Sequence, residues 1–309
     1  MEATLKINLK KALLKLRALL GFSRVMVSSF ALAQAALATV LALKGLPSIK
    51  IMLLGSIACL SGSYALTATN DFFDYEIDKE RLEKLRTVQG FDMGQIFIRQ
   101  PLARGIIGRR TAIIWILSLS TISLIFAYLI KPSLLVISIV IGLLVVTYSY
   151  MSRLSILKIF LIGTLVSLGA AAGWLAVSNH NNFLLAFVLW MFFWEIGGRN
   201  IPNDLADIEE DRSLKLKTIP VIFGEKKASQ ICFSCLLATF FISVVFAVIL
   251  DINQFFVISV SLVGFFMLVL PAYKLLRKPE PKVSLQLFNS AVFYPITVLV
   301  FLLASIYLI

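Results

Sequence analysis

Apolar residues in this chain come in long unbroken runs, not at the alternate positions of a strand or the three-and-four spacing of a surface helix. Nine windows stand out, approximately 25–43, 51–69, 112–130, 133–151, 159–178, 183–200, 229–250, 252–273 and 285–308. All are apolar on every face, and only the sixth holds charge, Glu195 and Arg199 near its end. A helix rising ~1.5 Å per residue needs about 20 such residues to cross a hydrocarbon core ~30 Å thick, so each window predicts one transmembrane helix. A β-barrel would alternate polar and apolar positions over ~10 residues and is excluded. The expected fold class is an all-α polytopic membrane protein, nine helices in one bundle.

The polar segments between the windows sort by charge. Nine crossings put the termini on opposite sides, and 26 of the 29 Lys and Arg residues fall on the side of the N-terminus, leaving only Lys44, Lys50 and Lys131 on the other. The positive-inside rule then predicts a cytoplasmic N-terminus and a C-terminus across the membrane, which in a bacterium is the inner membrane. Residues 1–24 read as a basic amphipathic interfacial segment lying against anionic headgroups, and 25–309 as a single transmembrane domain.

Composition supports this division. A content of 59% hydrophobic and 15% charged residues, with mean hydropathy +0.92, is too apolar for a soluble domain of 309 residues. The net charge of +12 describes one membrane face and implies no nucleic-acid partner. Cys232 and Cys235 form a Cys-x-x-Cys inside an apolar window without a second pair, which argues against zinc or redox chemistry. His180, the single histidine, reads as a turn residue of a short outer loop.

The acids are not spread over the surface. Six of 17 lie between Asp71 and Glu83 and five between Asp204 and Asp211. The two segments, 70–78 and 203–211, share one signature, Asn-Asp-x-x-Asp-x-x-x-Asp: Asn70, Asp71, Asp74, Asp78 and Asn203, Asp204, Asp207, Asp211. Four predicted spans separate them, so both emerge on the same side, as an internal duplication of a four-helix unit would arrange. On a continuous helix Asn70, Asp74 and Asp78 would form one stripe, repeated by Asn203, Asp207 and Asp211. Carboxylates this close raise one another's pKa unless a cation intervenes. Hard oxygen ligands with room left for water and substrate oxygens suit Mg²⁺ bound together with a diphosphate. Arg199, at the membrane edge one turn before Asn203, is the base most expected to touch that diphosphate.

At these residues the sequence resembles the UbiA superfamily of intramembrane prenyltransferases, whose two aspartate-rich motifs are matched by Asn70/Asp74/Asp78 and by Asp207/Asp211. The run from Asp211 and Arg212 to Lys217, Thr218 and Pro220 resembles the stretch after the second motif. Thr147-Tyr148-Ser149 to Arg153 resembles the inner-loop element after the fourth span, and Arg24 also has a family counterpart. The family's basic run after the first motif is matched only by Arg99 to Arg104, following an apparent insertion of Glu80 to Ile98.

The resemblance implies transfer of a prenyl group from a polyprenyl diphosphate to a hydrophobic or aromatic acceptor, through a metal-assisted allylic carbocation. It implies catalytic roles for Asp71, Asp74, Asp78, Asp204, Asp207 and Asp211, and Mg²⁺ ligation by Asn70, Asp74, Asp78, Asp207 and Asp211. Diphosphate contacts are expected from Asn70, Arg104, Arg153, Arg199, Asn203 and Lys217, and prenyl or acceptor contacts from Arg24 and Tyr148. The aromatics Phe72, Phe73, Tyr75 and Tyr150 read as interface packing. The expected acceptor is an aromatic quinone precursor such as 4-hydroxybenzoate; the alternatives are a glycerol-phosphate lipid, a chlorin or tocopherol-type ring, or cyclisation of the substrate itself. A cation-coupled transporter is the rival from another class, but transporters hold their acids near the midplane on broken helices.

Overall fold

The computed structural model describes residues 2–84, 97–151, 155–179 and 182–308, and among them every regular element is a helix, with no strand. Nine helical segments among the described residues are long and apolar enough to cross a membrane. They match the nine windows closely, and most run a few residues further at one end. His180 and Arg153 lie outside the described residues.

The chain opens with α1 (Glu2–Phe22), the expected amphipathic segment. Its first spanning segment is broken into α2 (Val25–Ser28) and α3 (Ala31–Leu43), where a single helix was expected. The Ser29 hydroxyl donates to the Val25 carbonyl at 2.7 Å, a side-chain bond back onto the preceding turn of the kind that bends helices. The second span is α4 (Ile49–Phe73), followed by the short α5 (Tyr75–Lys84). Spans three to five are α6 (Arg109–Ile130), α7 (Pro132–Met151) and α8 (Lys158–Val177). The sixth comprises α9 (Leu184–Trp194), a π-helical turn Glu195–Asn200 and α10 (Ile201–Ala206), and is followed by α11 (Ile208–Ser213) and α12 (Ile219–Phe223). The seventh is α13 (Glu225–Leu250). The eighth, α14 (Gln254–Gly264) and α15 (Leu270–Arg277), is joined by a second π-helical turn, and α16 (Pro281–Tyr307) is the ninth.

The two halves of the bundle pack differently. The main core joins the interior faces of α9, α13, α14, α15 and α16 to α3 and α8. Trp190 and Trp194 are buried there, the former donating to the Tyr294 hydroxyl at 3.2 Å and the latter to the Ala291 carbonyl at 3.0 Å, so neither indole N–H is left unpaired in hydrocarbon. Close approach of α8 to α3 depends on Gly173, where a Cβ would stand 2.2 Å from the Ala35 carbonyl oxygen. By contrast α4, α6 and α7 bury the least of their length, because one side of each faces lipid and another faces a void.

Two of the three bases on the sparsely charged face have structural partners. Lys44 donates to the Leu250 carbonyl at 2.6 Å, and Lys131 to the Leu175 carbonyl at 3.0 Å and to Asn179 Oδ1 at 2.6 Å. Each satisfies a carbonyl in the last turn of a neighbouring spanning helix, where the helix dipole favours a cation. At the other end of the bundle, Ala18 and Phe22 of α1 are buried with Ala68, Leu102, Ile107 and Ala112, which fixes α1 to the base of α4 and α6.

Candidate active site

Both signature segments bend at the same residue. Asp74 closes α4 with φ/ψ of −79°/5° and Asp207 closes α10 with −103°/14°, both near the bridge region of backbone space in which active-site residues are often found. The amide bonding around the two bends also matches: Asp74 N–H to Asn70 O at 2.9 Å and Asp78 N–H to Asp74 O at 2.8 Å, against 3.1 Å and 2.9 Å for Asp207 to Asn203 and Asp211 to Asp207. The continuous stripe expected from i, i+4, i+8 spacing is therefore corrected to two stripes, each broken at its middle aspartate. The bend turns the third aspartate of each motif away from the spanning helix.

The segments beyond the bends meet. Ile77 of α5 packs against Leu214 and Leu216 just after α11, and Arg81 of α5 forms an ion pair with Glu210 of α11. Arg81 also stands 3.8 Å from Asp78. The sequence identified neither Arg81 nor Glu210 as part of the site, since both looked like surface charges beside a motif.

Each aspartate of the first motif has a protein partner. Arg24 Nη2 lies 2.7 Å from Asp71 Oδ1, Asn70 Nδ2 donates to Asp74 at 2.9 Å, and Gln100 Nε2 donates to Asp78 at 2.6 Å. Ser149 orients Asn70 by donating to its Oδ1 at 3.2 Å. Arg24 and Gln100 both hold left-handed backbone, φ 45° and 52°, a conformation that costs a non-glycine residue about 1 kcal/mol or more. The two side chains that hold the outer aspartates thus sit on strained backbone. Gln100 falls within the basic run after the first motif, where only the arginines had drawn notice.

Beyond the spans, burial dominates the electrostatics. Desolvation, with Asp71 adding repulsion, pushes the Asp78 carboxyl up to about 7. Desolvation also pushes Asp211 up to about 6, against the attraction of Lys158 and with repulsion from Asp207. Glu210 is raised for the same reason, in spite of Arg81. Such carboxylates gain from an added cation. Among the described residues no three acidic, imidazole or thiol side chains converge on one point, so the protein supplies no closed cage. A donor set made only of carboxylate and amide oxygens, incomplete without water or substrate oxygens, fits Mg²⁺ better than a thiol- or imidazole-seeking metal.

The acid end opens into a cavity of about 1240 Å³ that runs the depth of the bundle. Arg24, Asn70, Asp71, Gln100, Tyr148, Arg199, Asn203 and Asp207 line its polar end, and Leu46, Pro47, Ile130 and Leu303 its far end. Ile51 and Asp71, at opposite ends of α4, both line it, which at ~1.5 Å per residue makes it roughly 30 Å long. The wall between is apolar and small, with Gly55, Ala58, Gly142, Gly169 and Ala170 among its residues.

Several sequence-selected residues take other places. Asp74, Asp78, Asp204 and Asp211 stand behind the wall, and Asp78 and Asp211 are buried. Arg104 and Lys217 are exposed and off the cavity, so the structure does not bring them to the diphosphate end. Arg199 does reach the wall, but its charge is matched: Nη1 lies 2.9 Å from Glu195 Oε2, and the guanidinium sits over the Trp194 ring at 5.7 Å. Asn200 Nδ2 donates to Glu195 Oε1 at 2.8 Å. Glu195 itself went unassigned, although it is the one acid inside an apolar window. Tyr75 lies under Arg109 at 4.8 Å, Phe73 and Tyr150 are exposed, and Phe72 packs beside α1, all consistent with interface packing. The Cys232 thiol donates to the Gly197 carbonyl at 3.0 Å, tying α13 to the π-helical turn.

Comparison with known proteins gives the family and the fold. Residues 31–294 match the model of the UbiA prenyltransferase family. A digeranylgeranylglyceryl phosphate synthase of Thermococcus sibiricus is 25% identical over 259 residues, 80% of this chain and 82% of that one. The apo structure of a UbiA homolog from Aeropyrum pernix K1 superposes with a TM-score of 0.73 at 20% identity, covering 90% of this chain and 97% of that one. A UbiA homolog from Archaeoglobus fulgidus bound to GPP and Mg²⁺ gives 0.66 at 16% identity, over 92% and 99%. A duplicated acid signature at one end of a nine-helix bundle, opening into a lipid-sized void, is thus the work of a multi-pass membrane prenyltransferase, and this chain belongs to the UbiA prenyltransferase family.

Proposed function

We propose that the protein transfers a long prenyl group from its diphosphate to a hydroxyl of a glycerol-phosphate lipid that already carries one prenyl chain. The relatives carry this reading, and the cavity has the volume for it. A hydrocarbon carbon needs about the space of a water, ~30 Å³, so a 20-carbon tail occupies roughly 600 Å³ and two tails roughly 1200 Å³. The cavity of about 1240 Å³ has room for both, one on the donor and one on the acceptor. The similarity to digeranylgeranylglyceryl phosphate synthases supports the same acceptor. That similarity favours the glycerol-phosphate lipid over the aromatic quinone precursor expected from the sequence.

The donor diphosphate lies at the polar end, where Arg24 and Asn203 offer hydrogen-bond donors. Asn70, Asp74 and Asp78 from one bend and Asp207 and Asp211 from the other are the residues that would hold Mg²⁺; once bound, it would neutralise charge on the leaving diphosphate. The allylic cation forms in a dry apolar passage next to Tyr148, whose ring face can attract it. The acid-bearing face, which holds 26 of the 29 basic residues, is the cytoplasmic one, and α1 lies along its headgroups.

The test incubates the purified protein in lipid with geranylgeranyl diphosphate, Mg²⁺ and a panel of acceptors: a monoprenylated glyceryl phosphate, 4-hydroxybenzoate and none. Mass spectrometry should find the diprenylated ether lipid. Prenylated 4-hydroxybenzoate as the main product refutes the lipid acceptor, and absence of diphosphate release with every donor refutes prenyl transfer.

A further inference from the structure

The Glu195–Arg199–Asn200 cluster is unexplained by donor binding. Glu195 is buried, 3% exposed, inside a spanning segment, where a carboxylate is costly. Its two oxygens receive one donor each, Arg199 at 2.9 Å and Asn200 at 2.8 Å, which leaves each oxygen with unused acceptor capacity. Glu195 also lines the cavity, as do its two partners. The backbone around it is a π-helical turn, a feature concentrated at functional sites, and it brings residues 195 and 200 together.

A purely structural ion pair would hide both charges from the void. Here all three residues line it, and the buried Arg199 Nε–H has no partner. Position along the chain gives the depth. Asn203, beside the bend at Asp207, marks the diphosphate end; the Glu195 backbone lies about 12 Å inward from it, and its carboxylate reaches back along the turn to Arg199 and Asn200.

We propose that Glu195 is the catalytic proton acceptor for the lipid hydroxyl, with Arg199 and Asn200 as positioning residues that hold its carboxyl group in place. The proposal rests on the hydroxyl acceptor of the preceding section. The step balances without a further reagent. The C1–O bond of the donor breaks and its electron pair leaves with the diphosphate. The acceptor oxygen donates a lone pair to C1, forming the ether C–O bond, and its proton passes to a Glu195 oxygen. A protonated ether is a far stronger acid than a carboxylic acid, so even a carboxylate paired with arginine takes that proton. Without it, the new bond reopens and the cation is lost to water or to an alkene.

The test separates cation formation from cation capture. Glu195→Gln and Glu195→Asp are assayed with geranylgeranyl diphosphate, Mg²⁺ and a monoprenylated glyceryl phosphate, counting ether lipid, prenyl alcohol and alkene, and diphosphate. General base catalysis contributes about 10²–10⁴-fold, so in Glu195→Gln the ratio of ether to alcohol and alkene should fall at least ~100-fold while diphosphate release stays measurable. Glu195→Asp, which keeps a carboxylate, should recover part of the ratio. An unchanged ratio in Glu195→Gln overturns the proposal, whether total turnover is kept or falls, since a structural or donor-side role lowers all products together. If the wild-type protein itself makes no ether from a hydroxyl acceptor, the functional reading fails first and takes this proposal with it.

Discussion

Substituting Gly142 by phenylalanine should shorten the donor that the enzyme accepts. Gly142 lies midway along α7 on the cavity wall, and a Cβ built there meets nothing within 4 Å, so the new ring enters the void without colliding with a neighbour. Seven added carbons at ~30 Å³ each occupy about 200 Å³, roughly a sixth of the cavity. From Met151, at the acid end of α7, to Gly142 is about 13 Å at ~1.5 Å per residue. With C–C bonds of ~1.5 Å, two isoprene units extend roughly 10 Å and four roughly 20 Å, so a 10-carbon tail stops short of the ring and a 20-carbon tail must pass it. Loss of hydrophobic transfer is not the main term, because a tail excluded from the cavity returns to lipid that is equally apolar. Steric overpacking is, at about 1–3 kcal/mol. At ~1.4 kcal/mol per decade this gives a ~5- to 150-fold lower kcat/KM with the 20-carbon diphosphate and little change with the 10-carbon one. Equal losses for both donors, or none for the long one, would refute the placement of the tail along α7.

Asp74→Ala and Asp207→Ala should each lower diphosphate release by about 10²–10³-fold, and EDTA should abolish it, measured as phosphate after pyrophosphatase; turnover that survives chelation removes the metal from the site. Folded pKa values of about 7 for Asp78 and about 6 for Asp211, above the ordinary 3.8, mean that the folded protein binds more protons than the unfolded chain over that interval. Metal-free protein should therefore lose stability as pH rises from 4 to 7 and level off above, and Mg²⁺ with diphosphate should flatten the slope of the melting temperature. Arg81→Glu should part α5 from α11 and reduce activity, and the exchange Arg81→Glu with Glu210→Arg should restore it; no recovery in the double variant places the ion pair outside the working site.

Much of the fold was legible because hydrocarbon allows few solutions. A run of about 20 apolar residues can satisfy its backbone only as a helix, so the windows fixed nine segments to within a few residues at most ends. The duplicated signature also gave the site its place on one face. The bends at Asp74 and Asp207 were not legible, because spacing of three and four fits a straight helix and a bent one alike. The break at Ser29 has no marker in the pattern, since Ser side chains that bond the preceding turn also occur inside unbroken helices here. Partners were hardest to read: Arg24, Gln100 and Asn200 reach their acids across 47, 22 and 5 residues, and no local pattern encodes the two long reaches. Arg199 and Glu195 were visible together as the only charges in a window, four residues apart on one helical face. That spacing already implied the ion pair, and so a reason to doubt a free arginine at the diphosphate.

The two halves of the bundle use space differently. Around α9, α13, α14 and α16, large side chains fill the interior, and Trp190, Trp194 and Tyr294 are wholly or almost wholly buried with their polar atoms paired. Around α4, α6 and α7 the corresponding volume is left open by glycine and alanine. Helices that face a void on one side and lipid on the other gain little from packing, so the weakly packed half needs its position set elsewhere. The ends of the bundle supply it: Lys44 and Lys131 tie helix C-termini at one end, and Arg81, Arg24 and Gln100 tie the acid segments at the other. A passage between such helices can widen for a lipid tail without disturbing the clamps that hold the reacting groups, because the clamps lie at the ends and the tail lies between them. On the proposed reading, that separation lets one cavity admit a lipid tail while the reacting groups stay at a fixed place.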